Sequence, residues 1–332
     1  MFIVNGLPYI QCPDGSTFAE IVTLLEKALP EHPEDEVVLL RNIISMSSCV
    51  PEKTAVGLHA ANRMLEIATE ADDKAEALIF KATTLREAKG DMDEAIALFT
   101  EAHSYNNEYQ DPYENLFAIY TQRKEHETAL HWATLMTKQE DLDSIGFHLM
   151  GEALTSLGKT DEALLAFETS LAKDESAEAY KGLGNCFLIQ GNYAQAVEAF
   201  TKAHEKCHYP EPLYTYGVGY AYHQMDDPYR AMKWYAKTLD IDPSYANALN
   251  NMAVLNLTLS NTWEDAVPYL LKAVELSNEA INASMQVIYR NLWAYYTQIL
   301  DHEKAEYYHR LVMKCLGFDD NTIDFLDSFK DE

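Results

Sequence analysis

Three side chains that can bind a metal ion lie close together in the second half of the chain. His204, Cys207 and His208 follow one another at steps of three and one, a spacing that places them on one face of a helix. Imidazole and thiolate groups arranged in this way can hold zinc. A closed zinc site needs four ligands, and no fourth is evident nearby. Histidine near a helix carboxyl end is also favourable without a metal, so we expect no metal and no cofactor.

The sequence contains no Gly-rich phosphate loop, Gly-x-Ser-x-Gly elbow or His-Glu-x-x-His motif. Each of these motifs would indicate a particular chemistry through its spacing. An active site assembled from distant positions stays open as an alternative, but nothing in the sequence supports it. We therefore expect that the protein is not an enzyme.

The chain of 332 residues is strongly acidic, with a formal net charge of −28. Such a surface repels phosphate backbones and anionic lipid heads. Nucleic acid and membranes are therefore unfavourable partners, and a protein or peptide with a basic surface is the partner that the charge favours. The alternative is that the charge serves solubility alone.

Five cysteines are scattered without a Cys-x-x-Cys pair, which is typical of a reducing compartment. The first residues lack a basic segment followed by a long apolar run, unlike an ordinary signal peptide. We see no apolar window long enough to span a membrane. We expect a cytoplasmic protein.

A repeat of about 34 residues organises the chain. Its markers are seven alanines spaced by 34, 34, 33, 35, 35 and 39 residues: Ala95, Ala129, Ala163, Ala196, Ala231, Ala266 and Ala305. Large apolar residues such as Phe99, Phe167 and Phe200 stand four positions after them, on the same face of a helix. Glycine or aspartate often stands five positions before them, as at Gly191 and Asp226, where a turn is expected. Each repeat is thus predicted to be a pair of helices, with the alanine on the second.

The segment from Ala177 to Ala203 carries Tyr180, Leu183, Gly184, Phe187, Gly191, Tyr193, Ala196, Phe200 and Ala203 at the repeated positions. It resembles a tetratricopeptide repeat at nearly every signature position, and similar units in phase cover about residues 76–316. The resemblance implies an all-α fold: a right-handed α-solenoid of about seven to eight helix pairs with terminal capping helices. The predicted divisions are an amino-terminal segment and capping helix over 1–33, a degenerate helix pair over 34–75, the repeat array over 76–318, and an acidic cap or tail over 319–332.

The ends and one repeat depart from the regular pattern. Asn5 and Gly6 could form a hairpin turn, and either Asp14 or Ser16 could cap a helix that ends near Leu29. Pro268 falls inside a predicted second helix, so we expect it in the first turn or at a kink. The long spacing before Ala305 predicts an extended first helix over about 281–299.

Some members of the resembled family bind an acidic carboxyl terminus with a clamp of Lys and Asn side chains. Lys181 and Asn185 fall at the first unit's clamp positions. Tyr216 and Gly217 then stand where Asn is needed, and Asn247 and Asn251 where cations are needed. Losing two cations removes most of the charge-assisted recognition of a carboxylate, which argues against a clamp.

The resemblance also implies that positions one residue past the buried anchors of each first helix line a concave binding face. These residues are Lys181, Asn185, Tyr216, Tyr220, His223, Asn247, Asn250 and Arg290, with His148 and Glu152 in the preceding unit. Their amides could bond a peptide backbone, and their tyrosines could anchor an interface. The alternative is that they are ordinary solvated residues.

We expect a protein–protein interaction scaffold or adaptor that binds a protein segment in this face. A peptide-responsive regulator or a chaperone-like holder of client proteins is the first alternative, and an enzyme a distant one.

Overall fold

The computed structural model describes residues 2–4, 7–12, 16–88, 90–278 and 280–327. The chain divides into two compact units, Met1–Ala166 and Phe167–Glu332. Apart from two short amino-terminal strands, the regular elements of the described residues are helices. The predicted all-α class is confirmed. Helices α2 to α17 alternate along the chain as the first and second helices of successive pairs.

The first unit contains β1 and β2, helices α1 to α8, and two short 3-10 helices at Pro33–Asp35 and Pro51–Lys53. Its strands and α-helices are β1 (Phe2–Val4), β2 (Leu7–Cys12), α1 (Phe18–Ala28), α2 (Glu36–Ser48), α3 (Thr54–Ile67), α4 (Ala71–Glu87), α5 (Met92–Tyr105), α6 (Gln110–Gln122), α7 (His126–Met136) and α8 (Asp143–Ser156).

Helix α9 (Thr160–Lys173) crosses the division between the units. The second unit continues with α10 (Ala177–Ile189), α11 (Tyr193–Lys206), α12 (Pro212–Gln224), α13 (Pro228–Ile241), α14 (Ala246–Ser260), α15 (Val267–Ser277), α16 (Ala283–Gln298), α17 (His302–Cys315) and α18 (Asp320–Asp327).

The alanine markers are core residues. Ala196 and Ala231 are fully buried, and Phe200 and Tyr235, four residues after them, are 1% and 0% exposed. The small alanine side chain lets the two helices of a pair approach closely, while the aromatic ring fills the space beside it. The buried residues form local clusters between neighbouring helices, as expected where each repeat contacts only its neighbours.

The turn inside each pair has a recurring left-handed residue. It lies five positions before the alanine marker in six repeats, and its φ is positive at Lys124, Gly158, Gly191, Asp226, Asn261 and Leu300. At Gly191 the next amide, of Asn192, donates to the Phe187 carbonyl at 2.8 Å, which closes the helix end. Glycine adopts this conformation without a Cβ penalty, whereas Leu300 adopts it against the preference of its side chain.

The amino-terminal end corrects one prediction and leaves another open. Thr17 caps α1, rather than Asp14 or Ser16: the Glu20 amide donates to Thr17 Oγ1 at 3.3 Å, and the Thr17 amide donates to Glu20 Oε2 at 2.8 Å. This reciprocal capping box requires Glu three residues after the cap, a condition that Thr17 meets. Strands β1 and β2 pair antiparallel, but the predicted turn at Asn5 and Gly6 lies outside the described residues.

The irregular repeat and the long first helix agree with the sequence predictions. Pro268 lies in the first turn of α15, where its missing amide hydrogen removes no helical bond. Helix α16 covers Ala283–Gln298, close to the predicted 281–299.

The short helix α18 packs on α17 at the carboxyl end. Ile323 is fully buried, Arg310 Nη1 contacts Asp324 Oδ1 at 2.7 Å, and Lys314 Nζ contacts Asp320 Oδ1 at 3.0 Å. Residues 319–324 therefore pack against α17, and the predicted role of 319–332 as a cap or tail stays a prediction. Within the described part of the chain, no helix is long and apolar enough to cross a membrane.

Candidate functional site

The predicted site residues of the second unit lie on four first helices. Helix α10 carries Lys181 and Asn185, and α12 carries Tyr216, Tyr220 and His223. Helix α14 carries Asn247 and Asn250, and α16 carries Arg290. Asn185, Asn247 and Arg290 are exposed, whereas the other five are partly buried. The buried anchors of the same helices, such as Leu183 and Leu249, point into the core. We call the surface formed by these eight residues the first-helix face.

His148 and Glu152 form a separate contact on α8 in the first unit. His148 Nε2 lies 3.6 Å from Glu152 Oε1, one helical turn away. These two predicted binding residues therefore contact each other within the first unit.

Tyr216 is the centre of an aromatic cluster on the first-helix face. Its ring centroid lies 6.2 Å from that of Tyr220, 5.6 Å from Tyr235 and 5.2 Å from Tyr245. Glycines make this approach possible: a Cβ atom at Gly219 would lie 2.8 Å from the Tyr235 ring. We call Tyr216, Tyr220, Tyr235 and Tyr245 the tyrosine cluster. Centroid distances in this range are typical of favourable aromatic contacts.

A chain of three asparagines joins this cluster to the neighbouring first helices. Asn291 Nδ2 on α16 donates to Asn250 Oδ1 at 2.8 Å, and Asn250 Nδ2 donates to Asn251 Oδ1 at 3.4 Å. Asn251 Nδ2 then donates to Tyr216 Oη at 3.2 Å and to Tyr235 Oη at 3.0 Å. We call Asn291, Asn250 and Asn251 the amide relay. It connects α16, α14 and α12 through side chains alone.

Burial further disfavours ionisation of Tyr216 and Tyr245 in this cluster. It raises the pKa of Tyr216 to about 12 and also raises the pKa of Tyr245. Burial lowers the pKa of His223, whose Nδ1 lies 3.4 Å from Tyr235 Oη. A neutral imidazole has one nitrogen that can accept a hydrogen bond. The centre of the first-helix face is therefore polar, aromatic and neutral.

Four members of this arrangement were not among the predicted site residues: Tyr235, Tyr245, Asn251 and Asn291. Tyr235 stands four residues after the marker Ala231, where the repeat pattern predicts a packing residue, and it is fully buried, but its hydroxyl belongs to the polar network. Asn251 was considered only as a failed clamp position. The run Asn250-Asn251 in a first helix was the available sequence signal, because two adjacent amides cannot both serve apolar packing.

The suggested metal cluster is not assembled. Cys207 Sγ donates to the His204 carbonyl at 3.0 Å, and the His204 ring packs edge-on to Trp234 at 6.2 Å. Among the described residues, no group of three or more His, Cys, Asp or Glu side chains could hold a metal ion. The spacing of His204, Cys207 and His208 is accounted for by local bonding and packing.

Comparison with known proteins agrees with the helix-pair architecture. The tetratricopeptide repeat family profile matches residues 148–207 and 216–245. The RNA polymerase-associated protein CTR9 of Caenorhabditis elegans is 23% identical over 241 residues, which are 69% of this chain and 21% of that protein. The chain thus spans about a fifth of the length of this curated relative.

Two solved structures share the fold. A chain of the APC/C hetero-tetramer Cut9–Hcn1 superposes with a TM-score of 0.56 at 15% identity, over 83% of this chain and 53% of that one. A tetratricopeptide repeat protein from Parabacteroides merdae gives a TM-score of 0.54 at 16% identity, over 80% and 98%.

The stacked helix pairs and their marker residues define a helical-repeat scaffold. The chain contains tetratricopeptide repeats. Repeats of this family generally mediate protein–protein interactions, and their scaffolds are typically non-enzymatic.

Proposed function

We propose that the first-helix face of the second unit binds an extended segment of another protein. The amide relay carries this proposal, because it links three consecutive first helices into one polar surface. Exposed side chains flank the relay at Asn185, Asn247 and Arg290. An extended segment that crosses several repeats could meet amide donors and acceptors on each, and aromatic side chains in the middle.

The partner segment is proposed to be basic. The chain carries 53 acidic and 25 basic residues, and such an excess attracts positively charged partners over distances of about a Debye length. The neutral tyrosine cluster would supply the contact surface, whereas the acidic surroundings would speed the encounter. We propose a scaffold without catalytic activity, located in the cytoplasm.

Two of the three similar proteins named above are described by their associations. CTR9 is described as RNA polymerase-associated, and Cut9–Hcn1 is a hetero-tetramer. These descriptions support a role for this chain in holding a partner, without naming the partner.

The experiment uses a randomised peptide library displayed on phage and selected on the purified full-length chain. The affinity of a selected peptide is then measured for wild type and for Tyr216→Ala and Asn250→Ala. Each substitution is expected to weaken binding by about 1 kcal/mol or more if it removes an interface hot spot. Circular dichroism checks that the helical content is unchanged.

Tyr229→Ala is the matched control, because Tyr229 is 76% exposed on the second helix α13. It should bind the peptide like wild type. Undiminished binding by the Tyr216 and Asn250 variants would refute the proposal. If binding were lost instead on substitution of Phe325 and Phe329, the site would lie in the carboxyl-terminal tail; Phe329 lies outside the described residues.

A further inference from the structure

The hydrogen bonds of the amide relay all run in one direction. Asn291 donates to Asn250, Asn250 donates to Asn251, and Asn251 donates to the two tyrosine hydroxyls. An amide group carries two hydrogens, and Asn251 donates both, to Tyr216 and Tyr235. Because successive hydrogen bonds polarise one another, the relay makes both hydroxyl groups better donors.

Each of the two hydroxyl groups therefore has its own hydrogen left to donate. Tyr235 has an acceptor within the protein, since His223 Nδ1 lies 3.4 Å away. Tyr216 has none: across the described residues, its hydroxyl makes only the bond that it accepts from Asn251. Its side chain is partly exposed. The relay thus ends in one oriented donor at the centre of the first-helix face.

The surroundings of this donor favour an uncharged acceptor. The groups that shift the pKa of Tyr216 are its own burial, Asn251, Tyr245 and Tyr220. Among the described residues, no Lys or Arg side chain bonds to the Tyr216 hydroxyl or lies over its ring. A carboxylate placed there would lose water without gaining a cation, which is unfavourable. A peptide carbonyl needs only a hydrogen-bond donor, and an extended segment presents one carbonyl per residue.

We infer that the Tyr216 hydroxyl donates a hydrogen bond to a main-chain carbonyl of an internal segment of the bound protein, and that Asn251 is the positioning residue that orients it. This inference rests on the proposed function of the first-helix face. It predicts that Tyr216 recognises the main chain of the bound segment rather than a side chain. Any preference of the site for a particular peptide sequence must therefore arise from the other residues of the first-helix face. It also predicts that a free carboxyl terminus is not required.

The test uses a peptide selected from the phage library, synthesised with a free and with an amidated carboxyl terminus. Both forms should bind equally well. Tyr216→Phe keeps the ring and removes the donor, and should weaken binding about fivefold, the value of one neutral hydrogen bond. Tyr229→Phe is the matched control, because Tyr229 lies on the second helix α13 outside the first-helix face, and it should keep wild-type affinity.

Asn251→Asp tests the direction of the relay. The carboxylate has nearly the same shape as the amide but can only accept hydrogen bonds. It would take the Tyr216 hydrogen for itself, so affinity should fall at least as far as in Tyr216→Phe. The two changes combined should cost little more than either alone, because both remove the same donor.

The outcomes separate this inference from the proposed function. Unchanged binding in Tyr216→Ala would refute the site itself. Loss in Tyr216→Ala with wild-type binding in Tyr216→Phe would keep the site and overturn the inference. Equal losses in Tyr216→Phe and Tyr229→Phe, or loss on amidation of the peptide, would also overturn it. If Asn251→Asp does not fold, the two Phe variants still decide.

Discussion

The ring of Phe200 is held between glycines of two neighbouring first helices. A methyl group added at Gly184 would lie 2.8 Å from Cε2 and 2.9 Å from Cδ2 of that ring. A methyl group added at Gly217 would lie 2.7 Å from Cδ1 and 2.8 Å from Cε1, on the opposite edge. Carbon atoms normally pack about 3.5–4.0 Å apart, so either methyl would push the ring roughly 1 Å toward the other glycine.

This geometry predicts a non-additive loss of stability. Overpacking costs about 1–3 kcal/mol, and replacing glycine by alanine in a helix returns about 1 kcal/mol. Each single alanine variant should therefore lower the free energy of unfolding by about 0–2 kcal/mol. The double variant Gly184→Ala/Gly217→Ala should lose more than the sum, because the ring can escape one methyl only by moving toward the other.

The measurement is urea unfolding of the full-length chain, followed by circular dichroism. Phe200→Leu provides the matched background: without the ring edges, Gly217→Ala should become neutral or stabilising. If both single variants raise the unfolding midpoint and their effects add, the close contacts around Phe200 do not limit packing and the reasoning is wrong.

Three further outcomes are expected. Leu300 has a positive φ of 60° and is 72% exposed, so Leu300→Gly should raise the free energy of unfolding by about 1 kcal/mol. The control Leu316→Gly, at a φ of −83°, should not raise it. Equal effects of the two substitutions would contradict the argument that Leu300 is strained. Arg310→Ala should increase hydrogen exchange in α18 at neutral pH, and acidification should do the same in wild type. The bond from Lys314 lowers the pKa of Asp320 from its ordinary value of 3.8. The stabilisation from this ion pair is therefore present above pH 3.8 and is lost as the pH falls through the lower pKa of the folded state. Unchanged exchange in α18 would show that burial of Ile323 alone holds the tail. Binding of a basic selected peptide should weaken between about 0.05 and 0.5 M salt through screening; salt-independent affinity would indicate apolar recognition.

Much of the fold could be predicted because each repeat encodes its own structure. The period of the alanine markers determines where second helices lie, and residues such as Phe200 confirm the phase by their burial. The predicted cap of α1 was wrong although a local rule could have found it. Thr17 has Glu20 three residues later, whereas Ser16 has Ala19 there, and only Glu can complete the capping box.

The sequence by itself determined the repeat, the helix pairs and the helices that carry Tyr216 and Asn250. These follow from spacings within one repeat, where side-chain direction is set by helical geometry. Only the tertiary structure decided which side chains bond to one another. Asn251 reaches Tyr216 across 35 residues, and Asn291 reaches Asn250 across 41. Such contacts depend on how adjacent repeats stack, which no periodicity within a single repeat specifies. The direction of each hydrogen bond depends in turn on those contacts, so the free donor at Tyr216 could be recognised only once the repeats were assembled.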